Sequence, residues 1–124
     1  MVEFILYVKN QVDSKNFYEK LLNIKPILDV PGMTEFMLNE QCKLGLMPET
    51  GIAKILMDKT PNPATGNGIP RCELYLKFEN ADEYFSRGLE LGAKLISNMQ
   101  ARDWGDTVGY IADFDGHIIA FAMS

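Results

Sequence analysis

Two glutamates, Glu3 and Glu73, are the residues of this chain best suited to chemistry. They stand 70 positions apart, and the same shift lays Val8-Lys9-Asn10 over Phe78-Glu79-Asn80, so each glutamate opens one copy of a repeated unit. Two carboxylates in one partly apolar cleft can hold a cation, or one of them can keep its proton and serve as acid or base. Strand alternation groups Glu3 with Ile5 and Tyr7, and Glu73 with Tyr75 and Lys77. Phe4, Leu6 and Val8, and likewise Leu74, Leu76 and Phe78, are left for the opposite, apolar faces. On this reading both glutamates face the site. The plain alternative is a solvent-facing charge at the start of each strand.

Tyr7, Tyr75, Met47 and Trp104 would wall such a site with aromatic and polarizable surface, which suits a flat or cationic organic ligand; the competing role for each is ordinary core packing. Trp104 lies in Arg102-Asp103-Trp104-Gly105-Asp106. Arg102 could clamp an anionic ligand group, but Asp103 and Asp106 are close enough in sequence to neutralise it as a surface pair, and that is the expectation. His117 is the one histidine, so a multi-histidine metal site within one chain is excluded, and a structural or exposed role is expected for it. Cys42 and Cys72 lack the CxxC spacing of a zinc or redox motif and read as reduced thiols.

The elements that must position these groups are legible from pattern. Phe4 to Val8 reads as a strand, and a helix capped by Asp13 or Ser14 runs to Leu22 with Phe17, Tyr18, Leu21 and Leu22 inward and Asn23 as its stop. Ile27 to Val30, Glu35 to Leu38 and Lys43 to Met47 read as three strands. Pro48 to Pro70 carries four of the six prolines and reads as a linker with one helical turn around Ile52 to Met57. The pattern then recurs: strand Glu73 to Phe78, a capping-box start at Asn80 and Glu83, a helix with Tyr84, Phe85, Gly88 and Leu89 inward, and strand Lys94 to Ser97. Thr107 to Ala112 and His117 to Ala122 close the chain as a hairpin about Asp113-Phe114-Asp115-Gly116. Ile118, Ala120 and Ala122 share one face of its last strand, and their small size leaves room beside the site.

A chain of 124 residues is long enough to bury one sizeable core. A net charge of −5 with scattered Lys and Arg argues against a nucleic-acid partner. No apolar run is long enough to span a bilayer and no leader pattern is visible, so a cytoplasmic protein with no membrane partner is expected.

Four stretches, Leu6-Tyr-Val-Lys-Asn10, Ser14-Lys-Asn-Phe-Tyr-Glu-Lys-Leu-Leu22, Asp103-Trp-Gly-Asp106 and Asp113-Phe-Asp-Gly-His117, carry a resemblance that extends over essentially the whole chain. The sequence resembles the glyoxalase/bleomycin-resistance/dioxygenase, or vicinal oxygen chelate, superfamily. Asn23 stands where the family's helix motif has glycine and Phe114 where its terminal turn has proline. The resemblance implies an α+β fold of two tandem βαβββ modules whose curved mixed sheets form a cavity, here with modules at 1–47 and 71–124 joined by a linker at 48–70. It implies a homodimer as well. Family enzymes hold a divalent metal through positions that fall on Glu3, Gly45, Glu73 and Ala120, of which Gly45 and Ala120 bring no donor atom. Any divalent site would then rest weakly on Glu3 and Glu73.

The expected function is therefore binding of a small organic ligand without a tightly bound metal, with Tyr7, Gly45, Met47, Tyr75, Trp104, Ile118 and Ala120 lining the site and no cofactor. The alternative is a lyase, isomerase or dioxygenase of the same fold in which Glu3 and Glu73 are metal ligands or act as acid and base.

Overall fold

The computed structural model describes residues 1–124. The chain runs β1 (Val2–Val8), α1 (Gln11–Leu22), β2 (Leu28–Val30), β3 (Met33–Asn39), β4 (Cys42–Pro48), α2 (Glu49–Leu56), β5 (Glu73–Lys77), α3 (Ala81–Glu90), β6 (Lys94–Ala101), β7 (Thr107–Ala112) and β8 (Ile118–Met123). It divides into two compact units, Met1–Asn67 and Gly68–Ser124. Each holds one four-stranded sheet, ordered β1-β4-β3-β2 in the first and β5-β8-β7-β6 in the second. In both, the first strand of the unit pairs parallel to the last, and the remaining neighbours are antiparallel. The βαβββ repeat read from the sequence is thus the organisation of the backbone.

In the first unit, alternation sends Leu6 and Val8 of β1, Phe36 of β3, and Leu44 and Leu46 of β4 into a buried layer with Phe17, Tyr18, Leu21 and Leu22 of α1. Each of these large side chains contributes roughly 1.5–3 kcal/mol by leaving water, so Leu44→Ala alone would cost about 2–5 kcal/mol. The start of α1 differs from expectation: Asn10, not Asp13 or Ser14, is the cap, and its side chain accepts from the backbone N–H of Asp13 at 2.9 Å. The helix therefore begins earlier and brings Gln11 into use. The Gln11 amide donates to Val30 O and to Thr34 Oγ1 and accepts from Gly32 N–H, tying the first turn of α1 to the β2–β3 hairpin. Asn23 ends the helix in a left-handed conformation, as its position predicts.

The stretch after β4 is more structured than a linker with one helical turn. It forms the eight-residue α2, whose Ile52 is buried, and two short 3-10 turns at Met57–Lys59 and Pro63–Gly66. Pro48 at the cap is compatible with this because the first helical turn needs no intrahelical N–H partner there, and Pro61 and Pro63 fall beyond the helix end.

In the second unit, Ile111 of β7 and Ile119 and Phe121 of β8 are fully buried, α3 packs across these strands, and Phe85 is buried with it. Phe78, Tyr84 and Phe121 form a tilted aromatic cluster. The Asn80–Glu83 capping box is altered: Asn80 Nδ2 donates to Glu83 Oε2 at 3.2 Å, while the backbone N–H of Glu83 goes to the Asn80 carbonyl. Strand β6 is longer than the expected 94–97 because its antiparallel pairing with β7 continues, with irregular register, to Ala101.

Candidate functional site

The face of the first sheet opposite α1 carries Glu3, Ile5 and Tyr7 from β1, Lys43, Gly45 and Met47 from β4, and Glu35 and Met37 from β3. The register sets Glu3 beside Lys43, Ile5 beside Gly45, Tyr7 beside Met47, and Gly45 beside Glu35. Ile5 and Tyr7 are 39% and 38% exposed, and Leu28, Val30 and Met37 on the same sheet are also exposed. An apolar, methionine-bearing strand face of this kind is adaptable to differently shaped ligands.

A polar cluster lies within that apolar face. Gly45 leaves a gap that the Glu3 side chain fills: a Cβ built on Gly45 would stand 2.5 Å from Glu3 Oε2 and 3.0 Å from Ile5 Cγ1. Glu3 Oε2 is buried and has no hydrogen-bond partner. Burial raises the Glu3 carboxyl above its ordinary range; a hydrogen bond to Glu35 and the charge of Glu35 raise it further, and Lys43 opposes them. Lys43 Nζ stands 3.4 Å from Glu35 Oε1. The residue that Glu3 meets is therefore Glu35, in its own unit. Sequence pattern alone does not single out Glu35, because it sits between the buried Thr34 and Phe36 and looks like the outward residue of an ordinary strand. The signal was there: alternation on β3 and pairing with Gly45 place it on the Glu3 face.

In the second unit the corresponding strand carries Glu73, Tyr75 and Lys77, all exposed. Asp106 is the hub here. Its Oδ2 accepts from Tyr75 O–H at 2.7 Å and its Oδ1 from Lys77 Nζ at 2.8 Å, while Trp104 Nε1 donates to the Tyr75 oxygen at 2.9 Å. Hydrogen bonds from Lys77 and Tyr75 hold the Asp106 carboxyl below its ordinary range, and Asp106 in turn raises Lys77 and Tyr75. Trp104 is 59% exposed, its ring fixed at one end by the bond to Tyr75.

The expected surface pairing of Arg102 with Asp103 and Asp106 is not what forms. Arg102 donates to Val108 O, Ser97 Oγ and Asn98 O and lies 5.1 Å from the Tyr110 ring centroid, because three acceptors on neighbouring strands converge where its planar fork can reach them. Ile118 is half-buried. Ala120 is fully buried, and with Val108, Ala122 and Tyr110 it forms a core cluster. The small residues of β8 thus receive neighbouring side chains, where room had been expected.

His117 has a structural partner. Its Nδ1 lies 2.8 Å from Asp113 Oδ2, and Asp113 Oδ1 accepts from the backbone N–H groups of Asp115 and His117. Asp113, Asp115 and His117 bring ligand-type atoms within 4.8 Å of one another. These same bonds close the β7–β8 turn, where Gly116 takes φ 88° and approaches Gly68 so closely that a Cβ would meet its carbonyl oxygen at 2.7 Å.

The model of the glyoxalase-like domain family matches residues 1–124. The chain belongs to that family. A glyoxalase-related enzyme from Fulvimarina pelagi superposes on this glyoxalase-like domain with a TM-score of 0.84 at 20% identity, covering 100% of this chain and 87% of that one. A glyoxalase/bleomycin resistance protein/dioxygenase family enzyme from Burkholderia phytofirmans gives 0.82 at 10% identity, covering 98% and 95%. At these identities the likeness is one of fold. An uncharacterized protein of Mycobacterium bovis is 24% identical over 115 residues, which span 90% of this chain and 75% of that protein. No helix of the domain is long and apolar enough to cross a membrane.

The metal-holding positions that the superfamily resemblance implies do not fit a divalent ion here. Gly45 and Ala120 have no side-chain donor, and Ala120 is core. In the first unit the Glu3 carboxylate is folded into the Gly45 gap, beside Glu35 and with an ammonium close by. Glu73, in the second unit, is exposed.

Proposed function

We propose that this glyoxalase-like domain binds a small, largely apolar organic molecule without a resident metal, sequestering it as bleomycin-resistance-type relatives of the fold do. One observation carries the reading: the first sheet leaves Ile5, Tyr7, Leu28, Val30 and Met37 exposed around a largely enclosed set of charged groups. Binding sites combine apolar lining with a few placed polar groups in this way. Tyr7, Gly45 and Met47 are the proposed ligand residues of the first unit, and Tyr75, Trp104 and Ile118 those of the second, each set taken within its own unit, in a cytoplasmic homodimer. A thermal-shift screen of uncharged aromatic and aliphatic compounds tests it. Hits should raise the melting temperature of the wild type and lose most of that shift in Tyr7→Ala and Met47→Ala. Hits unaffected by either change would remove the first sheet face from the site.

A second reading is favoured by Glu3 itself. A carboxyl raised above its ordinary value of 4.5 by burial and by a second carboxylate keeps its proton to higher pH than a free glutamate, which is the direction in which a general acid or base is tuned. The enzyme would then be a lyase or isomerase acting through Glu3. Turnover in an extract-derived metabolite mixture that disappears in Glu3→Gln, with ligand shifts retained, would select it.

A further inference from the structure

Glu3 and Gly45 are two of the four positions at which the superfamily resemblance implies a metal ligand, Glu35 stands beside Gly45 on the next strand, and the chain already supplies a cation there. Lys43 is next to Glu3 in the parallel β1–β4 register, and its ammonium lies 3.4 Å from Glu35 Oε1. The Lys43 and Glu35 side chains are only 25% and 14% exposed, so this pair is screened less than a surface ion pair. Gly45, which carries no donor, gives up its side-chain volume to the Glu3 carboxylate. Two carboxylates and one ammonium are therefore gathered on adjacent strands with no space at Gly45 for another ligating group.

We propose that Lys43 is the resident cation of the first-sheet cluster: it takes the electrostatic place of a divalent metal, excludes one, and offers its remaining N–H donors to an oxygen acceptor on the bound molecule. An ammonium has three donors, and Glu35 accounts for one of them in this structure. The ligand chemistry that fits is an apolar body bearing a carbonyl or ether oxygen. A small cation is disfavoured because Lys43 already balances one of the two carboxylates. This rests on the reading of the first sheet as the ligand face, but it is tested separately from it, with the metal alone.

The probe is Mn2+, titrated by calorimetry and by its electron paramagnetic resonance signal at pH 7.5. The variants are Lys43→Met, Lys43→Gln and the double substitution Lys43→Met with Glu35→Gln. Wild type should show no saturable site on this cluster. Removing the ammonium should free Glu3 and Glu35 and create a saturable Mn2+ site at least about tenfold tighter than the weakest binding the titration would detect in wild type, the ratio that 1.4 kcal/mol represents. The double variant should lose the gain. Lys43→Gln keeps a polar group of similar length and gives the same answer should Lys43→Met fold poorly, with melting curves showing which variants are native. Saturable Mn2+ binding to wild type that Glu3→Gln abolishes, or the absence of any gain in both folded Lys43 variants, overturns the proposal. The organic-ligand reading would instead fail in its own screen, with no hit on the wild type, whatever the metal does.

Discussion

Glu3 Oε2 occupies the space a side chain at position 45 would need: it lies 2.5 Å from an ideal Cβ on Gly45. The glycine is at ordinary negative φ, so its role is volume and not backbone freedom. Gly45→Ala should push the Glu3 carboxylate out of its seat and crowd Ile5, whose Cγ1 would stand 3.0 Å away. Because the far end of a flexible side chain can move, the expected cost is at the low end of overpacking, about 1 kcal/mol. The more telling outcome is electrostatic. A carbon-detected titration of Glu3 should show its carboxyl falling back toward the ordinary value of 4.5 once burial is relieved. An unchanged Glu3 titration in a folded Gly45→Ala protein would show that the gap does not set its environment.

Gly109 provides the contrast within the second unit. A Cβ there would meet Met99 Sδ at 2.6 Å and two Phe85 ring carbons at 2.7 Å, and Phe85 is buried beneath α3. A buried ring cannot step aside as a carboxylate end can. Gly109→Ala should therefore cost about 2–3 kcal/mol, at the upper end of overpacking, measured by urea unfolding. Adding Phe85→Leu should recover part of that loss, since the substitution shortens the obstructing side chain. Equal stabilities for Gly109→Ala and wild type would mean that α3 moves freely over β7.

How far the sequence could be read follows from the range of each interaction. The βαβββ units were visible because alternation and helical periodicity are local, and Asn23 and the Asp113–Gly116 turn use residues whose backbone preferences are intrinsic. Asn10 does not stand out as the cap because Asp13 and Ser14 are equally good capping types nearby; what decides among them is where β1 ends. The site was harder. Glu3 is legible from the repeat, but its partner Glu35 comes from strand register, which depends on how β3 and β4 pair and on an irregularity between Met37 and Asn39. Likewise Asp106 looked like a neighbour for Arg102 until β5 brought Tyr75 and Lys77 to it, 31 and 29 residues away in sequence.

That last arrangement makes a prediction about pH. Asp106 has its carboxyl held below 3.8 by Lys77 and Tyr75, so the folded state keeps it ionised where the unfolded state would begin to take a proton. Its stabilising contribution is present above 3.8 and is lost as pH falls through the lower, folded value. Lys77 and Tyr75 are raised above 10.5 and 10.0, so their contributions are complete below those values and are lost as pH climbs through the folded ones. Asp106→Asn should weaken both limbs at once, flattening the dependence of melting temperature on pH in the acid and the alkaline range. Trp104 reports the network directly, because its indole N–H donates to the Tyr75 oxygen. In wild type its fluorescence should change along with the acid limb, and in Asp106→Asn that transition should disappear while Phe85 and the rest of the α3 core remain folded by circular dichroism. A variant whose stability and Trp104 emission follow the wild-type pH profile would show that Asp106 does not hold these three side chains together.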